Sequence, residues 1–111
     1  MIPTQVRIFV CTERQDMRRS FDALALAVRD RLALDPESGA LFVFASKRGN
    51  RLKVLWFDHN GYCLLYKRLH QALFAMPKGS GATVPINAKA LAELLAGVAK
   101  EEISTNRRTL H

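Results

Sequence analysis

The sequence predicts an α+β fold: an antiparallel sheet of about four strands packed with two helices. Three observations predict it. Residues 16–33 and 87–99 carry apolar side chains at helical spacing. Residues 40–69 hold three strand-like runs separated by Gly-Asn and Asn-Gly pairs. Residues 5–11, "QVRIFVC", are rich in β-branched and aromatic types. The chain has 111 residues, enough for one core but not two. A single domain is expected over residues 1–100, followed by a basic C-terminal tail, 101–111, that frays.

The first strand is expected to stop at "TERQD", and Asp16 is the expected N-cap of the helix over 16–33. Met17, Phe21, Leu24, Val28 and Leu32 form one apolar stripe on that helix, with Arg18, Arg19, Asp22, Arg29 and Arg31 largely off it. "DPESG" at 35–39 ends the helical region with turn residues.

The next strands are expected at about 40–46, 51–58 and 62–69. With Gly49-Asn50 and Asn60-Gly61 as two-residue turns, Phe44 faces Leu55, Phe42 faces Phe57, Leu55 faces Tyr66 and Lys53 faces Arg68. Gly61 is then expected at positive φ. One face of this meander carries Phe42, Phe44, Leu55, Phe57, Leu64 and Tyr66. The other carries Leu41, Val43, Val54, Trp56 and Leu65. A sheet apolar on both faces needs cover on both. Residues 70–86 read as a loop, and Asn87 as the N-cap of the second helix, with Leu91, Leu94, Leu95 and Val98 on one side.

The net charge of +7 points to a polyanionic partner. Lys47, Arg48, Arg51, Lys53, Lys67 and Arg68 gather at one end of the meander and are the candidate DNA-binding residues. Cross-strand like charges destabilise a sheet, and phosphates relieve that repulsion. The competing reading is a solvated basic end that guards the sheet against aggregation. Trp56, among apolar neighbours that need cover, is the candidate docking residue for a protein partner.

Catalytic chemistry finds no support. Asp16, Asp22, Asp30, Asp35 and Asp58 lack the spacing of a metal-binding carboxylate cluster. Cys11 and Cys63, with three scattered histidines, make no zinc signature and read as small packed hydrophobes. "GSG" at 79–81 lacks the lysine and spacing of a phosphate-binding loop. No catalytic residue, metal or cofactor is expected. No stretch shows a signal peptide or approaches the roughly 18 apolar residues of a membrane helix, so a cytoplasmic protein without a membrane partner is expected.

The stretches "DMRRSFDALALAV" at 16–28, "DPESGALFVFASKRGNRLKVLWFDHNGYCLLYKRL" at 35–69 and "LFAMP" at 73–77 carry a resemblance. The chain resembles the small accessory proteins, also called TnpB, encoded by the second open reading frame of the sixty-six family of bacterial insertion sequences. The resemblance spans roughly residues 3–98 and rests on Gly39, Phe42, Phe44, Gly49, Lys53, Leu55, Trp56, Gly61, Tyr66, Lys67, Arg68 and Leu69. Ser20, Phe57, Leu65 and Met76 depart from the family pattern, where Gly, Trp, an aromatic and Trp are usual. The resemblance implies a non-catalytic role in transposition beside a separate, larger transposase. Two modes are open: DNA binding through the basic hairpin end, or docking on the transposase with little direct DNA contact.

Overall fold

The computed structural model describes residues 6–100. Gln5, at the start of the expected first strand, and the expected tail at 101–111 lie outside the described residues. The elements are β1 (Ile8–Cys11), α1 (Phe21–Arg31), β2 (Leu41–Ala45), β3 (Arg51–Asp58), β4 (Gly61–Arg68), β5 (Ala72–Leu73), β6 (Thr83–Ile86), α2 (Ala88–Ala96) and β7 (Val98–Ala99). Five strands form one sheet in the order β4-β3-β2-β1-β6, and β5 pairs with β7 in a separate short ladder.

The fold is α+β, with a sheet that is mostly antiparallel. Its one parallel pair is β1–β2, with Ile8 opposite Leu41 and Val10 opposite Val43. The helix between these strands makes this possible, because a parallel neighbour needs a long crossover. The fifth strand, β6, lies within the segment read as loop. It runs antiparallel to β1 with Phe9 opposite Pro85. Pro85 has no backbone N–H to donate, which an edge strand tolerates.

The meander forms, but both registers differ from the expected ones by two residues. Phe44 faces Lys53 and Phe42 faces Leu55. The first turn is a four-residue loop, Lys47–Asn50. Ser46 closes it by accepting the Gly49 N–H at 3.0 Å on its carbonyl and the Arg51 N–H at 3.1 Å on its hydroxyl. In the second hairpin Asp58 faces Gly61, Leu55 faces Leu64 and Arg51 faces Arg68. The loop is therefore His59-Asn60, and His59, not Gly61, takes positive φ. An even slip leaves every side chain on its expected face.

Each face is covered by one helix. Under α1 lie Phe42, Phe44 and Leu55, packed with Leu24 and Val28. Under α2 lie Ile8, Val10, Val43, Leu52 and Val54, packed with Leu91, Leu94 and Phe74. Asn87 caps α2 as expected, its side-chain oxygen accepting the Ala90 N–H at 2.8 Å. Helix α1 starts five residues later than expected, with Ser20 at its N-cap. Asp16 instead closes a turn, its carbonyl accepting the Arg19 N–H at 3.1 Å and its carboxylate the Arg18 N–H at 2.9 Å. Phe21 consequently sits at the helix start and stays 42% exposed rather than joining the buried stripe.

Candidate functional site

Hydrogen bonds draw the segment before α1 alongside the first hairpin loop. The Gln15 N–H donates to the Ala45 carbonyl at 2.9 Å, continuing the end of β2. Arg14 Nη1 reaches the Ser46 carbonyl at 3.4 Å. Further along, Lys53 Nζ donates to the carbonyls of Met17 at 2.8 Å and Arg19 at 2.6 Å. The same ammonium lies 5.0 Å from the centre of the Tyr66 ring.

These contacts separate the six candidate basic residues. Lys53 is only 6% exposed, so it is not the expected DNA contact but a structural clamp on residues 17–19. Its register explains this: it points to the α1 face, beneath the segment that leads into that helix. Lys67 is exposed but points to the other face, where Nζ donates to the Leu95 carbonyl at 2.8 Å near the C-terminal end of α2. Lys47, Arg48, Arg51 and Arg68 are exposed, and Arg51 stands directly across from Arg68.

An open cavity of about 390 Å³ joins the loop to the preceding segment, with Arg18 on one side and Lys47, Arg48 and Arg51 on the other. Arg18 thus belongs to the basic rim, with Arg14 beside it through the Ser46 carbonyl and Arg19 next to it in the chain, although all three stand about thirty residues from the hairpin loop in sequence. Their signal was the density of arginine in "ERQDMRRS". Asp16 is the one acidic residue lining this cavity. Its carboxylate accepts Arg18 Nη2 at 2.6 Å and Nε at 3.0 Å. Those bonds hold the Asp16 carboxyl far below the usual carboxylate range and raise Arg18, so both are ionised at neutral pH. Backbone groups complete the setting: the turn that bears Lys47 and Arg48 is held by Gly49 at φ 78°, which a β-carbon would strain.

Trp56 lies on the α2 face, half-buried, and lines an apolar cavity of about 470 Å³ with Val54, Leu65, Leu91 and Leu95. Cys11 is buried and Cys63 half-buried. Burial pushes the Cys11 thiol above its ordinary value, the reverse of an activated nucleophile. Among the described residues, no three His, Cys, Asp or Glu side chains come together as a metal group. No helix among them is long and apolar enough to cross a membrane.

Residues 6–105 match the family described as IS66 Orf2 like protein. The chain belongs to that family. The IS66 Orf2-like chain is 41% identical over 100 residues to the uncharacterised protein y4hO of Sinorhizobium fredii, covering 88% of this chain and 87% of the relative. It is 32% identical over 93 residues to the uncharacterised protein y4jC of the same organism, covering 84% and 80%. No solved structure matches it. Membership ties the chain to insertion sequences, in a class of accessory proteins rather than of known enzymes.

Proposed function

We propose that this IS66 Orf2-like chain is a non-catalytic accessory factor in transposition that holds DNA on the basic rim formed by Lys47, Arg48, Arg51 and Arg68 with Arg14, Arg18 and Arg19. One observation supports this above the others: Arg18 and the hairpin-loop cations line a single open cavity whose sole acid is Asp16. Cations from two separate chain segments can bracket a phosphate backbone from both sides. The loop supplies reach, and the Lys53 clamp supplies rigidity.

Neutralised phosphates release counterions, so affinity for duplex DNA should fall with salt at a slope of about −0.9 per contact. A weak, salt-independent affinity would contradict the proposal. Asp16→Asn removes the cavity's one anion and frees Arg18, and should tighten binding by about three- to tenfold at low salt. Unchanged or weaker binding would place the contact surface elsewhere. Pure protein incubated with labelled element ends and magnesium or manganese should leave them intact. Cleavage lost on substituting Asp22 or Asp58 would make the chain a nuclease.

The second reading is docking on the transposase of the same element, favoured by the apolar cavity beside Trp56. It predicts that Trp56→Ala abolishes co-purification with the transposase while the salt-dependent DNA affinity persists.

A further inference from the structure

The two edges of the five-stranded sheet differ. Edge β6 is four residues long and contains Pro85, both of which blunt it. Edge β4 is eight residues long, with no proline and no strand on its outer side among the described residues. Lys67, a residue type that usually guards such an edge, is tied to the Leu95 carbonyl. Leu65 and Tyr66 on this strand are 39% and 50% exposed.

The hairpin register shows which backbone groups are free. Asp58 faces Gly61 across the two-residue turn, and the Leu69 N–H donates to the Asn50 carbonyl at 2.8 Å. By strand alternation, Gly61, Cys63, Leu65 and Lys67 turn their N–H and C=O groups toward β3. Tyr62, Leu64, Tyr66 and Arg68 turn theirs outward.

We propose that β4 is a self-complementary edge through which two copies of this chain pair antiparallel, joining their sheets into one. A two-fold axis perpendicular to the sheet keeps the α1 faces on one side. It requires each residue to oppose one that faces the same side. The register with Leu65 opposite Leu65 of the second copy meets that requirement and pairs every outward-facing residue of the strand. Leu64 then opposes Tyr66, and Tyr62 opposes Arg68, so all four outward-facing residues find backbone partners.

Charge selects a second copy as the occupant. The Tyr62 end of β4 is acidic: exposed Asp58 stands opposite Gly61 there, and besides burial the charges of Glu37, Asp35 and Asp22 act to hold the Tyr62 phenol above its ordinary value, against Arg29. The other end carries Lys67 and Arg68. Antiparallel pairing brings the basic end of each copy to the acidic end of the other. It also sends the two hairpin loops to opposite ends, which limits repulsion between chains of charge +7. The dimer would present two basic rims; that consequence rests on the proposed function, but the pairing does not.

Sedimentation equilibrium of the full chain over a range of concentrations tests this. The expected result is a monomer–dimer equilibrium for the wild type. Leu65→Lys would place two ammonium groups face to face across the axis and should raise the dissociation constant roughly tenfold or more. Arg68→Glu, at an exposed site, should also weaken the dimer and decides the matter if Leu65→Lys fails to fold. A wild type that stays monomeric at its highest soluble concentration overturns the pairing. So does a dimer that Arg68→Glu leaves unchanged.

Discussion

Lys53→Ala should destabilise the protein by about 3 kcal/mol or more, since hydrogen bonds from a charged donor contribute about 1.5–3 kcal/mol each and this ammonium makes two. The lost stem adds a packing defect on a strand that is buried from Leu52 to Leu55. Lys53→Met keeps the stem and removes only the ammonium, which separates the two contributions. Urea unfolding monitored by circular dichroism gives both values. The effect reaches beyond stability, because the clamped carbonyls belong to Met17 and Arg19, on either side of Arg18. Loosening them should weaken DNA binding even in protein that remains folded. A loss below about 0.5 kcal/mol, the range of ordinary surface substitutions, would show that the clamp carries no weight.

Gly97→Ala should cost about as much, for a different reason. Gly97 ends α2 at φ 75° and ψ 175°, a region essentially restricted to glycine, where other residues are strained by about 1–3 kcal/mol. A β-carbon there would also meet Leu69 Cδ1 at 2.5 Å and the Leu73 carbonyl at 3.3 Å. Leu69 follows β4 and Leu73 lies in β5, so the clash falls where α2 turns into the β5–β7 ladder. A melting temperature several degrees below wild type is expected. A variant that melts with the wild type would mean that the turn after α2 adopts another course.

The contrast between Lys53 and Arg18 shows what was legible in the sequence. Strand alternation placed Lys53 on the face of Phe44 and Leu55, and that face was right. A lysine between basic neighbours at a strand end nevertheless reads as exposed. Only the segment that crosses above it, brought there by the Gln15–Ala45 bond, makes it a buried donor. Arg18 and Arg19 were read as the outer side of a helix for the same reason: their turn conformation depends on Asp16 and Lys53, and the Lys53 contact is distant in sequence.

The helices and the meander were recoverable because their periodicities are local. Turn length was not. Gly49-Asn50 suits a two-residue turn by type, but the Ser46 hydroxyl and carbonyl close a longer loop and move the register by two. The parallel β1–β2 pair and the short β6 are set by pairing across the sheet, which no local pattern encodes. The family resemblance was legible because its motif glycines, aromatics and cations cluster in one hairpin pair, and residues 6–105 match the family.

On the proposed function, DNA is held at one place on the molecule and not by net charge. The most direct measurement is a salt titration of duplex binding by two charge-matched quadruple variants. One replaces Arg18, Lys47, Arg48 and Arg51, which line the cavity, with Gln; Arg68 is kept because it also lies on the β4 edge. The other replaces Arg7, Lys78, Lys89 and Lys100, all exposed and outside that cavity, with Gln. The first variant is expected to lose most of its affinity, its salt slope flattening by up to about 0.9 for each phosphate contact removed, while the second keeps a slope close to wild type. Two variants that weaken and flatten alike would contradict that placement.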